Sequence, residues 1–148
     1  MLNILVVEDD DIQAKQILGQ LRKQFPRDHV SAISTEHQFR AALPNIADRP
    51  PDVVVMDVML RWTDPSRNMP PRDEDVRREG PNRAGFRCKN LLAAGERTRN
   101  VPVILYTVLE REDISHELHH EGSDIYLLKD ADTVPQLVDK IRECTKTK

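Results

Sequence analysis

Four short apolar runs stand out from an otherwise polar chain: Ile4-Leu5-Val6-Val7, Val53-Val54-Val55-Met56, Val103-Ile104-Leu105-Tyr106 and Ile125-Tyr126-Leu127-Leu128. None alternates apolar with polar positions. Continuous apolarity over so few residues predicts strands buried on both faces, as in a parallel sheet covered by helices. His29 to Ile33 is a fifth, more mixed strand candidate that suits a sheet edge. The segments between the runs carry the helical period. From Asp11 to Phe25 the residues Ile17, Leu18, Leu21 and Phe25 form one stripe, which Pro26 terminates. Thr35 and Gln38 have capping-box spacing ahead of Phe39 and Leu43, predicting a short second helix. A third helix carries Phe86, Leu91 and Leu92, and a fourth runs from Glu110 to Glu121 before Gly122. The fifth holds Leu137, Val138 and Ile141, with Pro135 acceptable in its first turn.

Strand and helix thus alternate five times. Right-handed crossovers place helices on both faces of such a sheet. The expected fold is α/β, a flavodoxin-like doubly wound five-stranded parallel sheet in the order 2-1-3-4-5. A chain of 148 residues accommodates this as one domain, residues 1–148, with a core that needs no disulfide or structural metal. Residues 61–84 break the pattern. They have no apolar period, contain Pro65, Pro70, Pro71 and Pro81, and mix six arginines with five acids. Loops of more than about 12–15 residues are uncommon in compact domains, so this stretch reads as an insertion between the third strand and third helix. Neither a strand nor a core helix is expected in it.

Composition narrows the function. A formal net charge of -3 argues against nucleic acid as a partner. No basic-then-apolar leader opens the sequence, and no apolar run approaches the roughly 20 residues of a membrane helix, so a cytoplasmic protein without membrane contact is expected. Cys88 and Cys144 have no metal-ligand spacing and read as reduced thiols.

In open α/β sheets ligands bind at the carboxyl ends of the strands. Here those ends carry Glu8-Asp9-Asp10, Asp57, Thr107 and Lys129. Each has a plain structural explanation: the three acids can cap the first helix, Asp57 can serve a turn, Thr107 can end a strand, and Lys129 can sit in solvent. Together they compose a site. Crowded carboxylates repel unless a hard divalent ion with oxygen ligands lies among them, and Mg²⁺ is the natural choice. A carboxylate can attack phosphorus, with the metal and an ammonium offsetting charge on the transferring group. Asp57, at the end of a wholly apolar strand, is the expected nucleophile.

These pieces resemble the receiver domains of response regulators in two-component signalling. The resemblance rests on residues 4–10, on Asp52 to Leu60, on Val101 to Thr107, and on Gly122-Ser123-Asp124-Ile125-Tyr126-Leu127-Leu128-Lys129. It implies Asp57 as phosphoacceptor, Asp9 as a direct ligand of Mg²⁺ (or Mn²⁺), Glu8 as a ligand acting mainly through water, and the Met59 carbonyl as the remaining protein ligand. It implies Thr107 as the hydroxyl that turns to the phosphoryl group, Lys129 as its ion-pair partner, and Tyr126 as the aromatic that follows Thr107. It also implies a histidine kinase or phosphotransfer protein as donor, and possible homodimers. The chain departs from the family at Asp130, where proline and a cis peptide are usual, at Val108, where a smaller residue is usual, and at residues 61–84.

The expected function is a phosphorylation-dependent signalling switch that assists its own phosphorylation and dephosphorylation, rather than an enzyme with a separate substrate. The alternative is a phosphorylation-independent adaptor on the same fold. A haloacid-dehalogenase-type phosphohydrolase would need a second acid two residues after the nucleophile, where Met59 stands. His116, His119 and His120 have helical spacing that can bind a transition metal, but a solvated helix face explains them better.

Overall fold

The computed structural model describes residues 1–115, 125–130 and 132–146. Five strands form one parallel sheet: β1 (Asn3–Val7), β2 (His29–Ile33), β3 (Val53–Met56), β4 (Val103–Thr107) and β5 (Ile125–Leu128). Their order is β2-β1-β3-β4-β5, as the sequence predicts. The helices are α1 (Asp11–Gln24), α2 (Glu36–Asp48), α3 (Glu74–Glu79), α4 (Ala84–Ala94), α5 (Arg111–Ile114) and α6 (Val134–Thr145).

The unbroken apolarity of the strands follows from two cores. Leu5, Val7, Val54, Met56, Val103 and Leu105 pack on one face with Phe39 and Ile46 of α2, Leu92 of α4 and Ile114 of α5. The alternate positions Ile4, Val6, Val53, Val55, Ile104 and Tyr106 pack on the other with Ile17 and Leu21 of α1 and Leu137 and Ile141 of α6. Side chains along a strand point to opposite faces, so a strand sandwiched between helices needs apolar residues at every position. β5 is only half-buried along its length because it has a strand neighbour on one side alone.

Local signals act as expected at the helix starts. The Asp10 side chain accepts from the Gln13 N–H at 2.9 Å and caps α1. Thr35 caps α2 by accepting from Gln38 N–H at 3.1 Å, but the Gln38 side chain reaches past Thr35 to the Ser34 N–H at 2.8 Å. α2 is longer than the short helix expected and runs through Pro44. The fourth helix is described only as Arg111–Ile114; its expected remainder to Glu121, together with His116, His119, His120 and Gly122, lies outside the described residues.

Residues 61–84, read from the sequence as an insertion without a strand or core helix, hold local structure of their own. They contain α3 and a 3-10 turn, Pro81–Arg83, and they bury Trp62 and Val76. Gly80, at φ 83°, ends α3 with its N–H on the Val76 carbonyl at 2.8 Å. The anchor is ionic. Glu36 at the start of α2 is fully buried, and Arg87 of α4 meets it with two bonds, 2.6 and 2.8 Å. Arg40 donates to Glu36 at 3.0 Å and extends to Asp73 and Asp75, each at 2.8 Å. Arg87 also reaches Glu79 at 3.3 Å. Two arginines from the helices thus hold both ends of α3.

A buried charge left without its partner is costly, typically about 3–5 kcal/mol, whereas replacing both partners by apolar groups is often near neutral. Arg87→Met is therefore expected to lower the free energy of unfolding in urea by about 3 kcal/mol, the lower end of that range because Arg40 still faces Glu36. Glu36→Leu/Arg87→Met should recover much of the loss. A single variant within about 0.5 kcal/mol of wild type, the usual range for surface substitutions, would refute the anchoring role.

Candidate functional site

The register of β1 and β3 sets Val7 beside Met56, so the next residues, Glu8 and Asp57, leave the sheet side by side at its carboxyl rim. Backbone bonds fix both: Asp57 N–H to the Val7 carbonyl and Glu8 N–H to the Ile33 carbonyl, each at 3.0 Å. Asp9 follows Glu8, and oxygens of Glu8, Asp9 and Asp57 lie within 4.8 Å of one another. On the other side β4 and β5 pair Thr107 with Leu128, and the Lys129 N–H bonds to the Thr107 carbonyl at 2.7 Å. This aims the Lys129 ammonium back across the rim. It donates to Glu8 Oε1, to Asp57 Oδ2 at 2.9 Å and to Gln13 Oε1 at 3.0 Å, and lies 5.7 Å from the centre of the Tyr106 ring.

One ammonium cannot balance this many carboxylates. Burial, and then the charge of Asp57, push the Glu8 carboxyl up to about 7 despite its bond to Lys129. Burial by itself would depress Lys129, but Asp57 and Glu8 outweigh it and raise the ammonium above its ordinary value, so Lys129 stays charged. The donor set, three carboxylates with the Met59 backbone nearby, contains only hard oxygen and fits a Mg²⁺-like or Mn²⁺-like ion.

Glu8, Asp9, Asp57, Met59 and Lys129 all line one pocket of about 350 Å³. Val108, half exposed, stands at its edge. Asp10, the third acid of the triplet, is turned to its capping role. Thr107 is fully buried outside the pocket lining, and its hydroxyl accepts from the Leu109 N–H at 3.3 Å. The Tyr126 hydroxyl donates to the Leu109 carbonyl at 2.5 Å, with Arg111 stacked on its ring at 5.0 Å. Thr107 and Tyr126 therefore meet through Leu109. The described residues contain no cis peptide bond, and the peptide before Asp130 is trans. The Asp130 N–H is taken up instead by Thr133, whose hydroxyl also bonds to Tyr106 at 2.8 Å.

Three residues of the site escape the sequence reading. Gln13, read only as part of α1, supplies the third acceptor for Lys129. Arg61 covers Asp9 with its N–H at 2.9 Å from Oδ2 and its guanidinium on the Asp9 carbonyl at 3.2 Å. Gly85 lets α4 press on the backbone of the nucleophile candidate: its N–H bonds to the Val58 carbonyl at 2.8 Å, and a Cβ there would come within 2.2 Å of the Asp57 carbonyl oxygen. A glycine in the first turn of a helix is a weak signal for such an approach, and only the tertiary contact gives it meaning.

No protein-family model matches the chain, and no curated protein matches it. Solved structures do match in shape. A receiver domain of a Francisella response regulator is 22% identical, with a TM-score of 0.68 over 99% of this chain and 98% of that one. The phosphorylated cyanobacterial phytochrome response regulator RcpA is 18% identical, with a TM-score of 0.68 over 99% and 94%. The receiver domain of a Pseudomonas aeruginosa sensor histidine kinase, with magnesium coordinated in its active-site cleft, is 16% identical, with a TM-score of 0.62 over 99% of both chains. The chain has the receiver fold.

Gly85→Ala must displace the backbone around Asp57, and overpacking of this kind costs about 1–3 kcal/mol. Gly19→Ala, where a Cβ meets nothing within 4 Å, should be neutral or stabilising by up to about 1 kcal/mol, since alanine is the better helix former. Urea unfolding of both, with amide NMR shifts at Asp57 and Met59, tests this. Equal effects of the two substitutions would contradict the close-contact argument.

Proposed function

We propose that this chain is a phosphorylation-dependent signalling switch that accepts a phosphoryl group on Asp57 from a histidine kinase or phosphotransfer protein, with Mg²⁺ or Mn²⁺ beside it. The observation that carries the reading is the convergence of Glu8, Asp9 and Asp57 at one rim of the sheet, with the Lys129 ammonium bonded to two of them. The magnesium-bound and phosphorylated proteins of the same fold support it.

Asp9, Asp57 and the Met59 carbonyl would hold the ion directly, and Glu8 mainly through water. When bound, the ion offsets negative charge on the transferring group. Asp57 is oriented from two sides, its Oδ2 by Lys129 and its Oδ1 by the Met59 N–H at 3.3 Å. One carboxylate oxygen forms the bond to phosphorus while the donor's phosphorus–nitrogen bond breaks and the imidazole keeps the electron pair. Lys129 then pairs with the phosphoryl oxygens in place of the carboxylate. Attack by water on phosphorus releases phosphate and restores the Asp57 carboxylate, so the chain resets itself and turns over no separate substrate.

The switch runs through Leu109. Thr107 turns its O–H to the phosphoryl group, a rotation that moves its oxygen relative to the Leu109 N–H, and Leu109 is the residue whose carbonyl accepts from Tyr126. Reversing a two-state equilibrium from 1:99 to 99:1 needs about 5.5 kcal/mol, and hydrogen bonds to a charged group contribute roughly 1.5–3 kcal/mol each. Thr107 and Lys129 together supply much of that.

Acetyl phosphate with Mg²⁺ is expected to add one acid-labile phosphoryl group by intact mass, lost in Asp57→Asn and in excess chelator. No gain in mass in the wild type would favour the adaptor reading instead. Thr107→Ala should accept the phosphoryl group yet leave the Tyr126 NMR shifts unmoved by beryllofluoride. A response equal to that of wild type would remove Thr107 from the switch.

A further inference from the structure

Part of the charge of residues 61–84 is neutralised from the helices beneath it. Asp73, Asp75 and Glu79 are taken up by Arg40 and Arg87 beneath them. Arg72 and Arg77 are left exposed and form no ion pair among the described residues. Both line a groove of about 420 Å³ whose walls also include Leu60, Trp62, Met69 and Pro81. The indole is a fixed wall, because its Nε1–H is tied to the Pro70 carbonyl at 2.9 Å. Met69 is 42% exposed. The one acid in the lining is Glu36, and Arg87 and Arg40 occupy both of its oxygens.

The groove therefore offers unpaired guanidinium groups, an apolar wall and no available carboxylate. Arginine forks favour planar carboxylates, and acidic motifs are commonly read by arginine clusters. A net charge of -3 and an apolar wall disfavour nucleic acid. We propose that this groove docks an acidic segment of a partner protein, with carboxylates on Arg72 and Arg77 and an apolar side chain against Met69. A segment seated there adjoins the Asp57 pocket, which shares Leu60, Arg61 and Pro81 with the groove.

The test uses the whole chain and a random glutamate–tyrosine copolymer, followed by the fluorescence of Trp62, the chain's single tryptophan. Binding should be saturable and weaken with salt. Arg72→Glu/Arg77→Glu should weaken it about tenfold or more while unfolding normally in urea, since both side chains are exposed and unpaired. Asp57→Asn should bind as wild type does, so the result is independent of whether Asp57 is phosphorylated. The proposal is overturned by absent binding, by unchanged affinity in the double variant, by loss of binding in Asp57→Asn, or by RNA binding as tightly as the copolymer.

Discussion

A parallel sheet covered by helices on both faces has no room for polar side chains except at its rims, and that constraint organises this molecule. The inner strands are apolar at each position from Ile4 to Val7, Val53 to Met56 and Val103 to Tyr106, so the polar residue that follows each run marks the carboxyl rim. All five strands run the same way, so these residues collect along one edge. Glu8, Asp57, Thr107 and Lys129 are neighbours for this reason and not through any local motif. The electrostatic strain at that edge is the counterpart of the order in the sheet: the packing that fixes the carboxylates also denies them the water that would screen them.

The second organising element lies under the 61–84 segment. A buried ion pair seldom adds net stability over a well-packed apolar pair, but it is exacting about geometry. Glu36, fully enclosed, accepts from arginines of two different helices, and the same arginines grip acids on either end of α3. A stretch with little hydrophobic content is thereby given a defined position beside Asp57.

What could be read from the sequence follows from this division. Strand positions, sheet order and the rim residues depend on hydrophobic period and topology, which are written locally. The cap at Thr35 was legible too, although the reciprocal bond goes to Ser34. α3 was not, because Glu74–Glu79 has a single buried residue, Val76, and much of its support comes from Arg40, which lies 33 and 35 positions from Asp73 and Asp75. Gly85 was equally hidden, since the close approach that requires it exists only once α4 lies on Asp57. The apolar run of β5 predicted burial on both faces, and its edge position halves it.

The span of the Lys129 contacts bears on how the chain folds. Lys129 is 121 residues from Glu8 and 72 from Asp57, and no strand pair in the sheet is joined by a hairpin. Contacts of such long range form slowly, after the loops between them have closed. Until β5 docks, the acids of β1 and β3 face one another without their ammonium, and assembling the rest of the sheet works against their repulsion. The fifth strand of the sheet is thus also the one that makes the rim electrostatically tolerable, and in synthesis Lys129 follows the acids of β1 and β3 by 121 and 72 residues.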